Sequence, residues 1–208
     1  MQRGLAATLA EDARAVRRND PAARSTLEAL LCHTPLHAIF VYRFAHRLHP
    51  RLPLLARLLS AFARFLTGVE IHPAAQIGRR LFIDHGTGVV IGETARVGDD
   101  CVLFHNVTLG GTGKHGGKRH PSVGDNVFIG TGATLLGPIA VGRGAKIGAG
   151  SFVCMRDVPP DCTAVGAPAR IVVRGGERVD EELPRTELSD ASVSVAIANE
   201  ARPRAARG

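Results

Sequence analysis

An aliphatic residue recurs at every sixth position through most of this chain. The series begins at Ile71, Ile77, Ile83 and Val89, continues at Val97, Leu103 and Leu109, and resumes at Val123, Ile129, Leu135, Val141, Ile147 and Val153. Pro159 interrupts it, and Val165 and Ile171 rejoin it. Glycine often follows the aliphatic, as in Ile77-Gly78, Val97-Gly98 and Val141-Gly142. A six-residue period suits neither a 3.6-residue helix nor simple alternation, and it marks a β-solenoid. Each unit is a short strand and a bend, with one aliphatic pointing inward and a small residue turning the corner. Three units close a triangular coil, and coils stack about 4.8 Å apart as parallel strands. Fifteen units starting at residue 71 make about five coils, roughly 24 Å of stack.

Composition fits a slender prism. Of 208 residues only 8 are Phe and 1 is Tyr, with no Trp, so the core must be filled by Val, Ile, Leu and Ala. The 24 glycines show no Gly-X-Y repeat, which excludes collagen. Hydrophobic residues reach 45%, which excludes global disorder. Before residue 69 the pattern is helical. Leu5, Leu9 and Val16 follow a 3.6-residue period, and Asp20 stands as N-cap of a helix restarting at Pro21. Thr34-Pro35 repeats that start signal, and a last helix runs from about Pro53 to Thr67 with Gly68 as its C-terminal cap. After about Gly175 charges mix without a period. The expected organisation is a helical domain over 1–68, a β-helix over 69–174 and a mobile tail over 175–208.

The formal charge of +7 sits mainly on the helices: residues 1–68 hold 10 basic and 4 acidic side chains, against 10 and 8 in residues 69–173. No stripe of stacking aromatics or groove-reading motif accompanies it, so no nucleic-acid partner is expected. The longest apolar stretch, residues 38–45, is interrupted by Arg43 and falls far short of the ~20 residues that cross a bilayer. The start carries Glu11 and Asp12 and lacks the apolar run of a signal peptide. Cys32, Cys101, Cys154 and Cys162 form no CxxC pair and no zinc spacing, and read as small buried residues in a reducing compartment. A soluble cytoplasmic protein, with no membrane partner, is expected.

Two units are longer than six. Residues 89–96 carry two extra, and residues 109–122 carry eight extra in a Gly- and Lys-rich run that must project as a loop. Allowing for both, His85, His105, Thr131, Ala149 and Ala167 share one place in successive coils. Two imidazoles thus head a column of small residues, whose open backbone suits an extended ligand. A lone His is usually structural, but Asp84 beside His85 and the loop nearby favour chemistry there. Glu70, one coil back, is either a solvated carboxylate or an acceptor for an imidazole N–H. Lys114, Lys118 and Arg119 either solubilise the loop or, in the case of Arg119 next to His120, clamp a carboxylate. Lys146, on the small-residue side, meets a phosphate or stays a surface lysine.

The runs Val69-Glu70-Ile71-His72-Pro73, Ile83-Asp84-His85-Gly86, Val90-Ile91-Gly92-Glu93-Thr94, Val107-Thr108-Leu109-Gly110-Gly111-Thr112-Gly113-Lys114 and Lys118-Arg119-His120-Pro121, with Asn19-Asp20-Pro21-Ala22-Ala23 upstream, resemble the serine O-acetyltransferases over about residues 11–173. The resemblance implies a left-handed parallel β-helix after an N-terminal α-helical domain, built into a homotrimer or a dimer of trimers with active sites between prisms. It implies acetyl-CoA as co-substrate, no metal, L-serine as acceptor, and cysteine as an inhibitor in the serine site. Residue by residue, it makes His85 the general base and Glu70 its orienting carboxylate, a position where many members carry Asp. It gives Asp20 and Asp84 to the substrate amine, Arg119 and His120 to its carboxylate, and Gly111, Thr131, Lys146 and Ala149 to coenzyme A. The family docks O-acetylserine sulfhydrylase through a C-terminal isoleucine. This chain ends Arg207-Gly208, so that complex is not expected.

Three other readings compete. A zinc hydratase on the same prism would use His85 with His105, or His115 with His120. A solenoid scaffold would need none of these residues. Transfer to another hydroxyl, on a sugar or drug, would not need the zwitterion-binding set Asp20, Arg119 and His120.

Overall fold

The structure is a computed structural model and describes residues 4–113 and 116–186. Four helices come first: α1 (Leu5–Asn19), α2 (Thr26–Cys32), α3 (Thr34–Leu48) and α4 (Pro53–Thr67). Ser25 caps α2 by accepting the Glu28 N–H at 3.0 Å. Pro35 lies in the first turn of α3, where a missing N–H costs nothing. Gly68 closes α4 in the left-handed region at φ +72°, as its sequence position indicates. Asp20 differs from expectation. It is the C-cap of α1, and its Oδ1 accepts the Ala22 N–H at 2.8 Å in a local turn. One carboxylate oxygen closes that turn, and the next helix starts only after Ser25.

The repeats follow as β1 (Glu70–Ile71), β2 (Gln76–Ile77), β3 (Phe82–Ile83), β4 (Val90–Ile91), β5 (Arg96–Val97), β6 (Val102–Leu103), β7 (Thr108–Gly110), β8 (Ser122–Val123), β9 (Phe128–Ile129), β10 (Thr134–Leu136), β11 (Ala140–Val141), β12 (Lys146–Ile147), β13 (Phe152–Cys154), β14 (Cys162–Gly166), β15 (Ala169–Arg174) and β16 (Glu177–Glu182). They wind a three-faced parallel β-helix of five coils. The first face stacks β1, β4, β7, β10 and β13; the second β2, β5, β8 and β11; the third β3, β6, β9, β12 and β14. The aliphatics pair as columns: Ile71, Ile91, Leu109, Leu135 and Val153 on the first face, and Ile83, Leu103, Ile129 and Ile147 on the third. All but Ile71 of these are at most 1% exposed. Coils approach so closely at corners that a Cβ on Gly98 would lie 2.7 Å from the backbone of Gly124 and Asp125.

Four details depart from the sequence reading. The two extra residues of the short insertion lie between Ile83 and Ile91, not after Val89, because Ile91 rather than Val89 is the register partner of Ile71. The bulge therefore starts at His85. In the last coil the register slips by one: Val141 bridges Val158, and Ile147 pairs with Ala164. Ala164 is fully buried while Val165 is 37% exposed, and Ala167 leaves its column for the turn between β14 and β15. The segment after Gly175 also begins with order, since β16 pairs antiparallel with β15. The rest of the expected tail, from residue 187, lies outside the described residues. Of the cysteines, Cys32 is exposed and Cys154 half-buried, so only Cys101 and Cys162 are core fillers; burial pushes the Cys101 thiol up to about 12.

A buried ion pair joins the two domains. Asp12 of α1 is fully buried and accepts from Arg43 Nε of α3 at 3.0 Å. Its Oδ1 also takes the Arg80 backbone N–H at 2.9 Å. The Arg43 guanidinium continues to the carbonyls of Ile77, at 2.6 Å, and Gly78. One carboxylate and one guanidinium thus bind α1, α3 and the first coil. Among the described residues no helix is long and apolar enough to cross a membrane.

Candidate active site

The bulge between β3 and β4 presents Asp84 and His85 on the edge joining the third face to the first. His85 sits at φ +60°, a left-handed turn conformation that Arg80, Asp100, Asn106, Asn126, Met155 and Asp161 also adopt. Its ring is 74% exposed, with Nε2 3.7 Å from Asp84 Oδ1. Backbone bonds tie the bulge: Gly86 N–H donates to Asp84 O at 2.7 Å, and Thr87 N–H to His85 O at 3.0 Å. Gly86 takes φ +76°, and a Cβ there would lie 2.7 Å from Pro35 and 2.8 Å from Val69. The helical domain therefore braces the turn that carries His85. The His105 ring stands edge-on to His85 with centroids 5.7 Å apart, as the column predicts. Below it, Gly132 N–H donates to His105 O and Gly150 N–H to Thr131 O, at 3.0 and 2.7 Å, so His105, Thr131 and Ala149 do stack along this edge.

His33 belongs to the same edge. Its Nδ1 caps α3 by accepting the Leu36 N–H at 3.2 Å, and its ring lies 5.5 Å from that of Phe82. Burial holds its pKa below the usual imidazole range, while the charges of both Asp20 and Asp84 pull it up, so the two expected amine ligands share one neighbourhood. The only sequence signal for His33 is its place just before Thr34-Pro35, where a cap is needed.

Glu70 lies on the first face and is committed elsewhere: its Oε2 pairs with Arg64 Nη1 at 2.8 Å, beside a cleft of about 510 Å³ between α4 and the first coil. Within one chain Glu70 pairs with Arg64 rather than with His85. Among the described residues the carboxylate paired with His85 is Asp84, at 3.7 Å.

The second cluster occupies the edge joining the first face to the second. Arg119 Nη2 forms an ion pair with Glu93 Oε2, which holds the Glu93 carboxyl below its usual range. His120 is 9% exposed. Its ring fills a notch over Gly92, where any Cβ would overlap it. Lys118 neither solubilises the loop nor clamps an anion; its Nζ donates to the carbonyls of Thr94 and Pro121, at 2.7 and 3.2 Å, and staples the loop base. Gly111 packs under Arg119 on this edge, 3.2 Å from the Arg119 carbonyl to an ideal Cβ. Lys146 projects from the third face, exposed. Lys114 and His115 lie outside the described residues. Among the described residues no three His, Cys, Asp or Glu side chains are grouped to hold a metal.

The expected residues thus fall into two halves. Asp20, Asp84, His85, Thr131 and Ala149 share one edge, and Gly111, Arg119 and His120 share another. One face, about six residues at ~3.3 Å each, separates them. No serine-sized molecule spans that within one chain.

Burial is the largest cause of low pKa values at His33, His72 and His120. In the unfolded chain these rings titrate near ~6.5. Below that pH the unfolded chain takes up protons the native rings refuse, so stability present above pH ~6.5 is lost as pH falls towards the native values. Urea midpoints are expected to decline from about pH 7.5 to about 5.5; a flat profile would contradict these environments.

Comparison with known proteins points to one family. A family model for the bacterial transferase hexapeptide (six repeats) matches residues 120–154. A serine acetyltransferase of Synechococcus elongatus is 54% identical over 189 residues, covering 90% of this chain and 77% of its own. Among solved structures, soybean serine acetyltransferase complexed with serine superposes with a TM-score of 0.76 at 48% identity, covering 81% of this chain and 69% of its own. A serine acetyltransferase in complex with cysteine gives 0.78 at 39%, covering 93% and 71%. With the five-coil prism, the bulge at His85 and likeness of this extent along nearly the whole chain, this protein belongs to the serine acetyltransferase family.

Proposed function

We propose that this chain transfers the acetyl group of acetyl-CoA to the hydroxyl of L-serine, giving O-acetyl-L-serine and coenzyme A, in a site closed between neighbouring copies. The observation that carries the reading is an exposed imidazole on a braced bulge, with Asp84 3.7 Å from its Nε2. Serine's ammonium and hydroxyl sit on adjacent carbons, so a carboxylate holding the first must stand close to the base serving the second. His85 Nε2 takes the hydroxyl proton as the oxygen attacks the thioester carbon. The tetrahedral adduct collapses, the C–S bond breaks, and the imidazolium returns the proton to the departing sulfur. Asp20 and Asp84 hold the ammonium; Arg119 and the His120 Nε2–H hold the carboxylate. Thr131, Ala149 and Lys146 receive coenzyme A along the small-residue edge, with Gly111 at the other. Cysteine, bound in a solved relative, occupies the serine site and inhibits.

Because the halves lie on different edges, a second copy must bring its Arg119 edge to the first copy's His85 edge. Repeated head to tail, that contact closes a ring, and three copies suit a three-faced prism. Leu54, Leu58, Phe62 and Phe65 of α4, 57–85% exposed, form an apolar stripe that favours such assembly. The direct test is release of coenzyme A from acetyl-CoA with and without serine. Serine-dependent release that persists after chelation is expected; no serine dependence, or a stoichiometric requirement for zinc, would overturn the reading.

A further inference from the structure

Thr94 has every polar group turned on the Lys118–His120 segment. Its Oγ1 accepts the backbone N–H of Arg119 at 3.0 Å and of His120 at 3.1 Å. Its carbonyl accepts Lys118 Nζ at 2.7 Å. Its own backbone N–H donates to His120 Nδ1 at 3.2 Å, and Oγ1 lies 2.8 Å from the same nitrogen.

These contacts decide where the imidazole proton sits. A hydroxyl has two lone pairs and one hydrogen. Both lone pairs of Thr94 Oγ1 are taken by backbone donors, so its hydrogen has to be donated, and His120 Nδ1 is the acceptor within reach. The Thr94 backbone N–H can only donate, and it points at the same nitrogen. Nδ1 therefore carries no proton, and the neutral ring bears its hydrogen on Nε2. We infer that Thr94 is the positioning residue that holds His120 in the Nε2–H tautomer and at a fixed angle, so that the ring offers one aimed donor to the acceptor's carboxylate. Burial, with Arg119 and Lys118 nearby, favours the neutral ring and keeps the arrangement intact. The ring packs directly on Gly92, and a flip would face the two donors of Thr94 with a C–H in place of Nδ1. Glu93, the preceding residue, fixes Arg119 from the same corner. Two adjacent residues of one coil therefore orient two adjacent residues of the loop.

The inference rests on the reading of Arg119 and His120 as carboxylate ligands. The test uses the full-length protein and two measurements. Nitrogen-15 NMR of the wild type is expected to show His120 Nδ1 unprotonated and Nε2 protonated; a protonated Nδ1 in the neutral ring would overturn the inference. In steady-state kinetics Thr94→Val is expected to raise the KM for serine by about tenfold or more, with kcat down less than about threefold and the KM for acetyl-CoA within about twofold. Thr94→Ser, which keeps the hydroxyl, is expected to stay within about twofold of wild type throughout. A serine KM for Thr94→Val within about twofold of wild type, or equal loss in the Ser and Val variants, would overturn it. Failure of the carboxylate reading would look different: Arg119→Ala and His120→Ala would leave the serine KM unchanged, while the NMR tautomer still decides the role of Thr94.

Discussion

His85→Ala is expected to lower kcat for acetyl transfer to serine by ~10²–10⁴, the usual contribution of a positioned general base. The serine hydroxyl is a poor nucleophile near neutral pH, and among the described residues no other imidazole on that edge is both exposed and beside a carboxylate. His105 stands next to His85, but its Nδ1 is buried without a partner, which suits a packing surface better than a proton carrier. Glu70→Gln is expected to lower kcat by about tenfold or more if Glu70 orients the base, and by less if its surface pair with Arg64 is its whole role. Initial rates at saturating acetyl-CoA check both. A loss under tenfold for His85→Ala would reject it as base, and a Glu70→Gln loss under about tenfold would reject Glu70 as its orienting partner.

Asp12→Ala is expected to destabilise the chain by about 3–5 kcal/mol, the range for breaking a buried ion pair from one side. The loss leaves Arg43 charged and 7% exposed at its side chain, and strands the Arg80 N–H. Removing both charges, as in Asp12→Ala with Arg43→Met, is expected to recover part of it, since two apolar groups leave no uncompensated charge. Urea midpoints at a fixed chain concentration measure this. A single-variant loss under about 1 kcal/mol would mean that water reaches the pair. The effect extends to the site, because the same helices brace the His85 bulge through Pro35.

The prism was legible because every strand spends one residue on the core and the period repeats too often to be accidental. Its irregularities were less so. Val89 and Ile91 are both aliphatic and both buried, so a count alone places the insertion on either side of them. Val165 kept the six-residue phase, but the last coil is one residue short, and only pairing with Ile147 shows Ala164 in its place. The strand Glu177–Glu182 has one apolar residue, Val179, and owes its order to the neighbouring β15 rather than to its own pattern. The buried role of Asp12 had no local sequence signal, because its partner Arg43 is 31 residues away. The site residues were recognisable one by one from short motifs. Their division between two edges, and the hub at Thr94, depend on which corner each turn occupies and on contacts between coils.

That division gives the central claim its most direct test. His85→Ala chains and Arg119→Ala chains are co-assembled in equal amounts and assayed for serine-dependent release of coenzyme A at low serine. Sites shared between copies pair an intact His85 edge with an intact Arg119 edge in about one case in four, so the mixture is expected to recover about a quarter of wild-type activity from two nearly inactive parents. Activity no greater than the mean of the two parents would show that each site is built within one chain, and would contradict the account.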